Sequence, residues 1–310
     1  MVTRVSTVGN YATVLANLMA GQQRQLDAGE RVSSHKNGHD LKGFAGSAEL
    51  LTGMRSVQTR LKGFQDQNQL VADKLTTQDL ALNQVASAAL AARGAIADAL
   101  ASGDASTLMS ELQGAMNKTV GALNTRYNGT YLFAGGAINT QPVTAQQLSD
   151  LTSGPPISSF FQNDQFKAKN QVDDSTKLTT GVLADAVGKP ALNAFQAVEA
   201  FDTGGSGPFG SSLTAAQRAF LESQLAAWDQ VHTGVINTAA QNGMAQQRLE
   251  GVGKDLVSRQ NTLAEMMSNI TDADMGKASA DLEMAGLSIQ AAAKVFQTLK
   301  DSSLLNLLRV

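Results

Sequence analysis

Two pairs of residues have types and spacings that could support chemistry. His35 and His39 lie four positions apart, a spacing that can bind zinc on one face of a helix. Gly38 lies between them and the stretch is polar, so we predict a loop and no metal site. Asp272 and Asp274 offer two carboxylates for acid–base work, but helical patterns flank them on both sides. Because Asp favours helix N-caps, we interpret this pair as a helix break.

Two further segments match known functional sequence motifs, but each has a simpler structural interpretation. Gly205–Gly210 has the glycine spacing of a dinucleotide-binding loop. Pro208 removes a backbone N–H there and no strand–helix–strand unit surrounds it, so we predict a plain flexible loop. Asn128-Gly129-Thr130 matches a glycosylation sequon, and we interpret it as a glycine turn that ends a helix. We therefore expect no enzyme, no cofactor and no metal.

Composition excludes several classes of function. The 310 residues include no Cys, which removes disulfides, thiolate metal sites and Cys nucleophiles. The formal charge of -3 gives no general attraction to nucleic acid. No secretory signal and no run of about 20 apolar residues is present, so we expect no membrane span. Only 16% of residues are charged, against a typical share of about 25%.

The elements that must position any site are helices, and the strongest pattern begins at Leu50. Alternate steps of four and three residues from there to Ala99 meet apolar side chains at every stop except Asn68 and Gln78. Such a heptad seam predicts a long helix with an equally long partner. The two polar residues either fix the register of the seam or lie at the edge of a bundle, facing water. The predicted seam residues of this arm are Leu50, Met54, Val57, Leu61, Phe64, Val71, Leu75, Leu82 and Val85.

The last third of the chain supplies the partner. The same steps from Trp228 predict a second arm, interrupted at Arg259, and its predicted seam residues are Leu249, Leu256, Leu263, Met266 and Ile270. Shorter seams indicate one helix near the N-terminus and one after Asp274. The chain ends in a cluster of large apolar residues, Leu304, Leu305, Leu307 and Leu308. An exposed cluster of this kind is expected to bind something.

The middle of the chain has a different composition. All five Pro lie between Gln141 and Phe209, with short aromatic runs between turn signals and one predicted helix at Pro190 to Ala200. We predict a mainly α protein. Its N- and C-terminal arms form a long antiparallel helical rod or coiled-coil bundle, with a small β-rich or α+β domain inserted between them. The predicted boundaries are 1–45, 46–130, 131–212, 213–274 and 275–310.

Three segments resemble the flagellin superfamily. Arg31-Val32-Ser33-Ser34 is similar to the Arg-Leu-Ser-Ser turn of the family. Asn128 to Gly135 resembles a segment typical of the members that join the flagellar hook to the filament. Ile270-Thr271-Asp272-Ala273-Asp274, followed by a terminal helix and the Leu-rich tail, resembles the C-terminal motif of the family. The resemblance covers about 1–130 and 215–310.

The resemblance implies an extracellular structural subunit of the bacterial flagellum, in which terminal helices pack into a tube. It implies passage through the flagellar export channel without a cleaved signal, and an export chaperone at the C-terminal region. Copies of the chain, a neighbouring hook-associated protein and flagellin would be its partners. The expected assembly interface consists of Leu15, Leu18, Leu26, Leu282, Ile289, Phe296, Leu299, Leu304, Leu305, Leu307 and Leu308.

Three functions remain open from the sequence. The expected function is a junction protein between hook and filament, which the segment ending at Gly135 and the short insert favour. The alternative is a filament-forming flagellin. His35-Lys36-Asn37-Gly38 stands where flagellins usually have a Gly-Leu-Arg-Ile-Asn-like stretch, which disfavours it. A cytoplasmic helical scaffold or signalling protein would explain the seams but not the apolar tail.

Overall fold

The computed structural model describes residues 2–38, 40 and 43–307, with side chains for 9, 11–38, 40 and 43–300. Its helices are α1 (Val2–Ser34), α2 (Ala48–Ser102), α3 (Leu108–Leu123), α4 (Ala184–Asp202), α5 (Ala215–Thr271) and α6 (Met275–Leu307). Its strands are β1 (Arg126–Tyr127), β2 (Thr130–Tyr131), β3 (Lys169–Gln171) and β4 (Lys177–Thr179). The predicted mainly α class with a small inserted segment is confirmed. So is the helix break, because α5 ends at Thr271 and α6 begins at Met275.

The chain divides into two compact units. Residues 1–60 and 258–310 form one, here called the terminal unit, and residues 61–257 form the other, the central unit. Both contain α2 and α5 residues. The boundaries of these units differ from the predicted boundaries at 46, 131, 213 and 275. The predicted boundaries divide the chain by its expected place in an assembled tube, and they remain predictions.

One large hydrophobic core and a smaller cluster, which contains Val71, Leu75, Val172, Leu178 and Leu249, hold the central unit together. Parts of α2, α3, α4 and α5 contribute to the large core, and Trp228 and Phe195 meet edge to face within it, with ring centroids 4.6 Å apart. Residues of the insert, including Phe133 and Leu151, are fully buried in the same core. The segment 131–212 therefore packs as part of the central unit. It holds one 19-residue helix and the short antiparallel strand pair β3–β4, so α+β describes it better than β-rich.

The predicted seam residues divide by exposure. Leu61, Val71, Leu75, Leu82, Val85, Leu249 and Leu256 are buried. Met54, Phe64, Leu263 and Ile270 are partly buried. Leu50, Val57 and Met266 are exposed, which departs from their predicted seam position within a single chain. Leu51, next to Leu50, is fully buried in the terminal unit. A straight helix drifts against a strict heptad, which is one physical reason for such a change of face.

The two polar interruptions of the first seam are buried. Gln78 Nε2 donates to Asn242 Oδ1 at 3.0 Å, and Asn242 Nδ2 donates to the Leu75 carbonyl at 2.9 Å. We call this pair the polar rung; it links α2 to α5 inside the central unit. Asn68 Nδ2 donates to the Val172 carbonyl on the β3–β4 loop at 2.9 Å. Gln78 and Asn68 therefore lie in packed positions rather than at a solvent-exposed edge of the bundle. Arg259, the polar interruption of the second seam, is exposed.

Among the helices that the structure describes, one, α2, is long and apolar enough by length and composition to cross a membrane. Just under half of its most apolar window, 44%, is buried within the molecule. A core helix of a helical bundle passes the same test, so this feature is weak evidence for a membrane span.

Candidate assembly surfaces

The terminal unit is built around an antiparallel pair of helices, α1 and α6. Gly21 permits close approach, because a Cβ there would lie 3.0 Å from Ile289 Cγ1. Tyr11 and Phe296 meet edge to face with centroids 5.7 Å apart. Arg31 and Asp281 approach to 3.9 Å at the other end of the pair. These contacts pack α1 and α6, the first and last helices, against each other along their length.

The helix pair leaves large apolar side chains uncovered on both of its members. The exposed ones on α1 are Leu15, Met19 and Leu26, and those on α6 are Met275, Met284, Leu287, Val295 and Phe296. Leu26 is 68% exposed and Leu287 is 64% exposed, more than most apolar residues of the central unit. Contiguous exposed apolar surface marks a contact site in soluble proteins. The geometry can therefore support packing of this hairpin against other helices.

The predicted interface residues fall into three groups. Leu15, Leu26 and Phe296 are exposed and available for contact. Leu282 and Ile289 face Gly29 and Gly21 inside the helix pair, and Leu18 and Leu299 are partly buried. Leu308 and the side chains of Leu304, Leu305 and Leu307 lie outside the described residues, so the predicted role of the tail stays a prediction.

The two short motifs near the chain ends meet in the terminal unit. Asn37 N donates to the Thr271 carbonyl at 2.8 Å, and Ala273 N donates to the His35 carbonyl at 2.9 Å. Asn37 Nδ2 also donates to the Asp272 carbonyl at 2.8 Å. His35 has a positive φ of 57°, so the chain turns sharply as it leaves α1. We call this arrangement the motif clamp. It joins His35 to Asn37, at the start of the loop that follows α1, to Thr271–Ala273 at the α5–α6 break.

Charge reinforces the motif clamp. Lys36 Nζ pairs with Asp272, whose carboxylate also accepts hydrogen bonds from Ser268 and Thr271. The Lys36 ammonium, followed by these hydroxyls, lowers the pKa of Asp272 to about 2. Asp272 is thus ionised throughout the physiological range and acts as an anchor. This is a structural role for a carboxylate that was a candidate for acid–base work.

Asp274 has the predicted capping role. Its carboxylate accepts a hydrogen bond from Lys277 N at 3.1 Å, and its carbonyl accepts one from Ala278 N at 2.8 Å. Both acceptors satisfy N–H groups that the first turn of α6 leaves free. The two aspartates are therefore used to stop one helix and start the next.

The segment from Asn128 to Gly135 folds as a hairpin and a buried anchor. Asn128 and Gly129 have φ values of 49° and 80° and form the two-residue connection between β1 and β2. α3 ends earlier, at Leu123, so the expectation that this glycine ends the helix was wrong. Asn-Gly between paired strands is a strong hairpin signal that could have predicted the turn. Leu132, Phe133 and Ala134 then enter the core.

Asp164 holds the chain just after this anchor. Its Oδ1 accepts hydrogen bonds from Gly136 N at 2.7 Å and Phe166 N at 2.9 Å. These backbone donors lower the pKa of the Asp164 carboxyl below its usual value. The buried residues Leu132 to Ala134 and the Asp164 carboxylate thus hold the chain around Gly135 in place within the central unit.

The remaining candidates for chemistry have structural surroundings. Among the described residues, no group of three or more His, Asp or Glu could hold a metal ion, and His39 lies outside them. Phe209, inside the glycine-rich stretch, stacks on Phe201, and Gln217 Nε2 donates to the Ser206 and Pro208 carbonyls. That stretch is a packed loop.

Sequence reasoning missed two partners. Asn242 is a polar stop in the alternate three- and four-residue steps from Trp228, and matching it against Gln78 could have predicted the polar rung. Lys36 departs from the family pattern at its position, and it supplies the cation of the motif clamp. No sequence signal pairs Lys36 with Asp272, since 235 residues separate them.

Family comparisons agree with this geometry. The model of the bacterial flagellin N-terminal helical region matches residues 5–137, and that of the bacterial flagellin C-terminal helical region matches residues 225–308. Together they cover well over half of the chain. None of the curated protein sequences matches it.

Solved structures share the fold. A putative flagellar hook-associated protein from Vibrio parahaemolyticus is 14% identical, with a TM-score of 0.59 over 72% of this chain and 96% of that one. FlgL of Bacillus cereus is 15% identical, with a TM-score of 0.55 over 71% of this chain and 99% of that one. At these identities the likeness concerns the fold.

Proposed function

The chain belongs to the bacterial flagellin family, and from this we propose that it is the structural subunit that joins the flagellar hook to the filament. Membership makes it a structural protein of the flagellum that assembles with copies of itself and with other flagellar proteins. The finer assignment to the junction, and the absence of any enzymatic activity, belong to the proposal.

The observation that carries the proposal is the uncovered apolar surface of the α1–α6 pair. A free monomer gains nothing from exposing Leu26 and Leu287 to water, since each large apolar side chain gains about 1.5–3 kcal/mol on full burial. Helices of neighbouring subunits would cover this surface in a tube. The predicted seam of α1 and the Leu-rich tail are part of the same proposed contact.

The junction assignment has two supports beyond the family. Proteins described as hook-associated or as FlgL have this fold over about 70% of the chain. The insert is also short and shares its core with α2, α3 and α5, which suits a spacer of fixed shape between two assemblies. We further propose export through the flagellar channel without a cleaved signal, and an export chaperone that binds the C-terminal region.

A filament-forming flagellin is the second candidate. The two family models that match the chain are named for flagellin itself, and both functions use the same helical packing. Lys36 and Asn37 replace the usual flagellin residues at the motif clamp, which favours the junction protein. The two candidate functions predict different phenotypes when the gene is deleted.

A deletion strain separates them. Loss of a junction protein should leave hooks without filaments and shed soluble flagellin into the medium, because filament subunits have nothing to attach to. Restoring the gene should return filaments and clear the medium. Bare hooks with no flagellin in the medium would contradict the junction assignment and favour the filament subunit.

A further inference from the structure

Three Asn-Gly pairs occur in the chain, at 37–38, 128–129 and 242–243. This dipeptide can deamidate without an enzyme. The backbone nitrogen of the glycine attacks the side-chain carbonyl carbon of the asparagine, ammonia leaves, and a five-membered succinimide ring forms. Water then opens the ring at either carbonyl and gives aspartate or isoaspartate. Glycine favours the attack because it has no Cβ to obstruct the close approach. The surroundings of each pair decide whether it can react.

Asn242 is protected by burial and by the helix around it. It is buried in α5, where its side chain donates to the Leu75 carbonyl at 2.9 Å and accepts a hydrogen bond from Gln78 at 3.0 Å. Gly243 follows within the same helix, and a helical backbone N–H bonds to the carbonyl four residues before it. The nitrogen of Gly243 can therefore reach the Asn242 side chain only if α5 opens inside the central unit.

Asn37 is exposed, but hydrogen bonds hold its amide in place. Its backbone N donates to the Thr271 carbonyl at 2.8 Å, and its Nδ2 donates to the Asp272 carbonyl at 2.8 Å. A longer contact of 3.4 Å joins Nδ2 to the Ile270 carbonyl. The side chain must leave these carbonyls before it can turn toward Gly38, so the motif clamp protects this pair.

The pair at the β1–β2 turn lacks both kinds of protection. Asn128 and Gly129 are exposed. The side-chain hydrogen bonds of the hairpin join Arg126 to Tyr131 and Thr130 to Tyr127, and no hydrogen bond in the described part of the chain uses the Asn128 side chain. The strands that hold this turn are two residues long. So short a hairpin opens locally at low cost, and opening lets the Gly129 nitrogen reach the side chain.

We propose that Asn128 is a site of non-enzymatic deamidation, in which the Gly129 nitrogen closes a succinimide on Asn128 and water converts it to aspartate and isoaspartate. Either product replaces a neutral amide with a carboxylate at the β1–β2 turn. Isoaspartate also adds a methylene to the backbone of the turn, so the β1–β2 pairing should be lost in that product. The inference does not depend on the proposed function of the chain.

Peptide mapping of the full-length chain tests the site, with the other two Asn-Gly pairs as internal controls. The folded protein would be incubated in ¹⁸O-labelled water at mildly alkaline pH, which helps to deprotonate the attacking nitrogen, and digested at intervals for mass spectrometry. We expect ¹⁸O-labelled aspartate and isoaspartate to form at least about tenfold faster at Asn128 than at Asn37 or Asn242, because opening the turn costs less free energy.

Two further measurements separate the effect of structure from that of sequence. In urea, which unfolds the chain, all three pairs should react at similar rates, since each has glycine after the asparagine. Asn128→Gln should remove the fast product from the folded chain, because glutamine does not close a five-membered ring, and should leave Asn37 and Asn242 unchanged.

Two results would overturn the proposal. The first is a folded chain in which Asn128 reacts no faster than Asn37 or Asn242. The second is a product at Asn128 that contains aspartate but no isoaspartate, which would mean direct hydrolysis of the side chain without a succinimide.

Discussion

At the scale of single residues, the main feature is a set of polar side chains that join distant segments of the chain. The Gln78–Asn242 rung, the Asn68 contact to Val172 and the Lys36–Asp272 pair each join segments more than 100 positions apart. A buried polar pair in an apolar seam costs stability but penalises shifted registers, in which each partner would be left unsatisfied. The low charge of the chain agrees with this use of amides in packed positions.

The polar rung gives a prediction about stability. Gln78→Leu or Asn242→Leu alone should destabilise the central unit by about 1–3 kcal/mol, because each leaves the other amide buried without its partner. The double variant should lose less than the sum of the two single variants. Urea denaturation of all four chains in a double-mutant cycle measures this. Strictly additive losses would mean that the two amides do not interact.

The motif clamp gives a prediction about pH. The pKa of Asp272 is about 2 in the folded chain, below the ordinary Asp value of 3.8, so its ionised form favours the folded state. This contribution is fully present above about pH 4 and is lost as the pH falls toward 2. An NMR titration should place the midpoint of the Asp272 carboxyl near 2.

Two variants test the cause of that shift. Lys36→Met should raise the Asp272 midpoint toward 3.8, since it removes the cation that makes the largest contribution. Lys62→Met, on an exposed position of α2, should leave it unchanged. A midpoint near 3.8 in the unaltered chain would mean that the clamp does not form in solution.

At the scale of elements, helix ends decide the arrangement of the chain. Asp274 starts α6 just after α5 stops, and the Asn128–Gly129 turn reverses the chain soon after α3. Both features use residues that favour a local backbone shape, whatever they later contact. The long helices between these points depend on packing for their stability.

The β1–β2 turn gives a prediction at this scale. Gly129→Ala should destabilise the central unit by about 1–2 kcal/mol, because Gly129 has a φ of 80°, which is costly for residues with a Cβ. Gly121→Ala is the control. It lies on an exposed face of α3, where an added Cβ meets nothing within 4 Å, so it should stabilise slightly. The midpoints of urea denaturation compare the two variants. Equal midpoints would argue against a positive φ at Gly129 in the β1–β2 turn.

At the scale of the whole molecule, the contrast between the two units is the main feature. The central unit buries large side chains such as Trp228 and Phe195 completely. The terminal unit presents large apolar side chains on the outer faces of α1 and α6. The central unit contains the large core, and we propose that neighbouring subunits cover the exposed side chains of the terminal unit.

This contrast predicts a separation of folding from assembly. Leu26→Asp with Leu287→Asp should leave the helical circular dichroism of the free chain unchanged, since both side chains are exposed. It should abolish incorporation into isolated flagella, because two charges would enter an apolar contact. Gln25→Asp with Gln290→Asp, on exposed positions of the same helices, carries the same charge change without loss of apolar surface. Normal incorporation of the leucine variant would refute the proposed surface.

The sequence by itself determined the helical class, the break at Thr271 to Asp274 and the two arms. Heptad periodicity, capping residues and the clustering of Pro are local properties, and they are readable without knowing what each segment touches. Tertiary structure decided the rest. That Gln78 meets Asn242, that Lys36 meets Asp272 and that Leu51 rather than Leu50 is buried depends on the register between distant helices. Register is set by the sum of many side-chain contacts across the chain, which no local pattern contains.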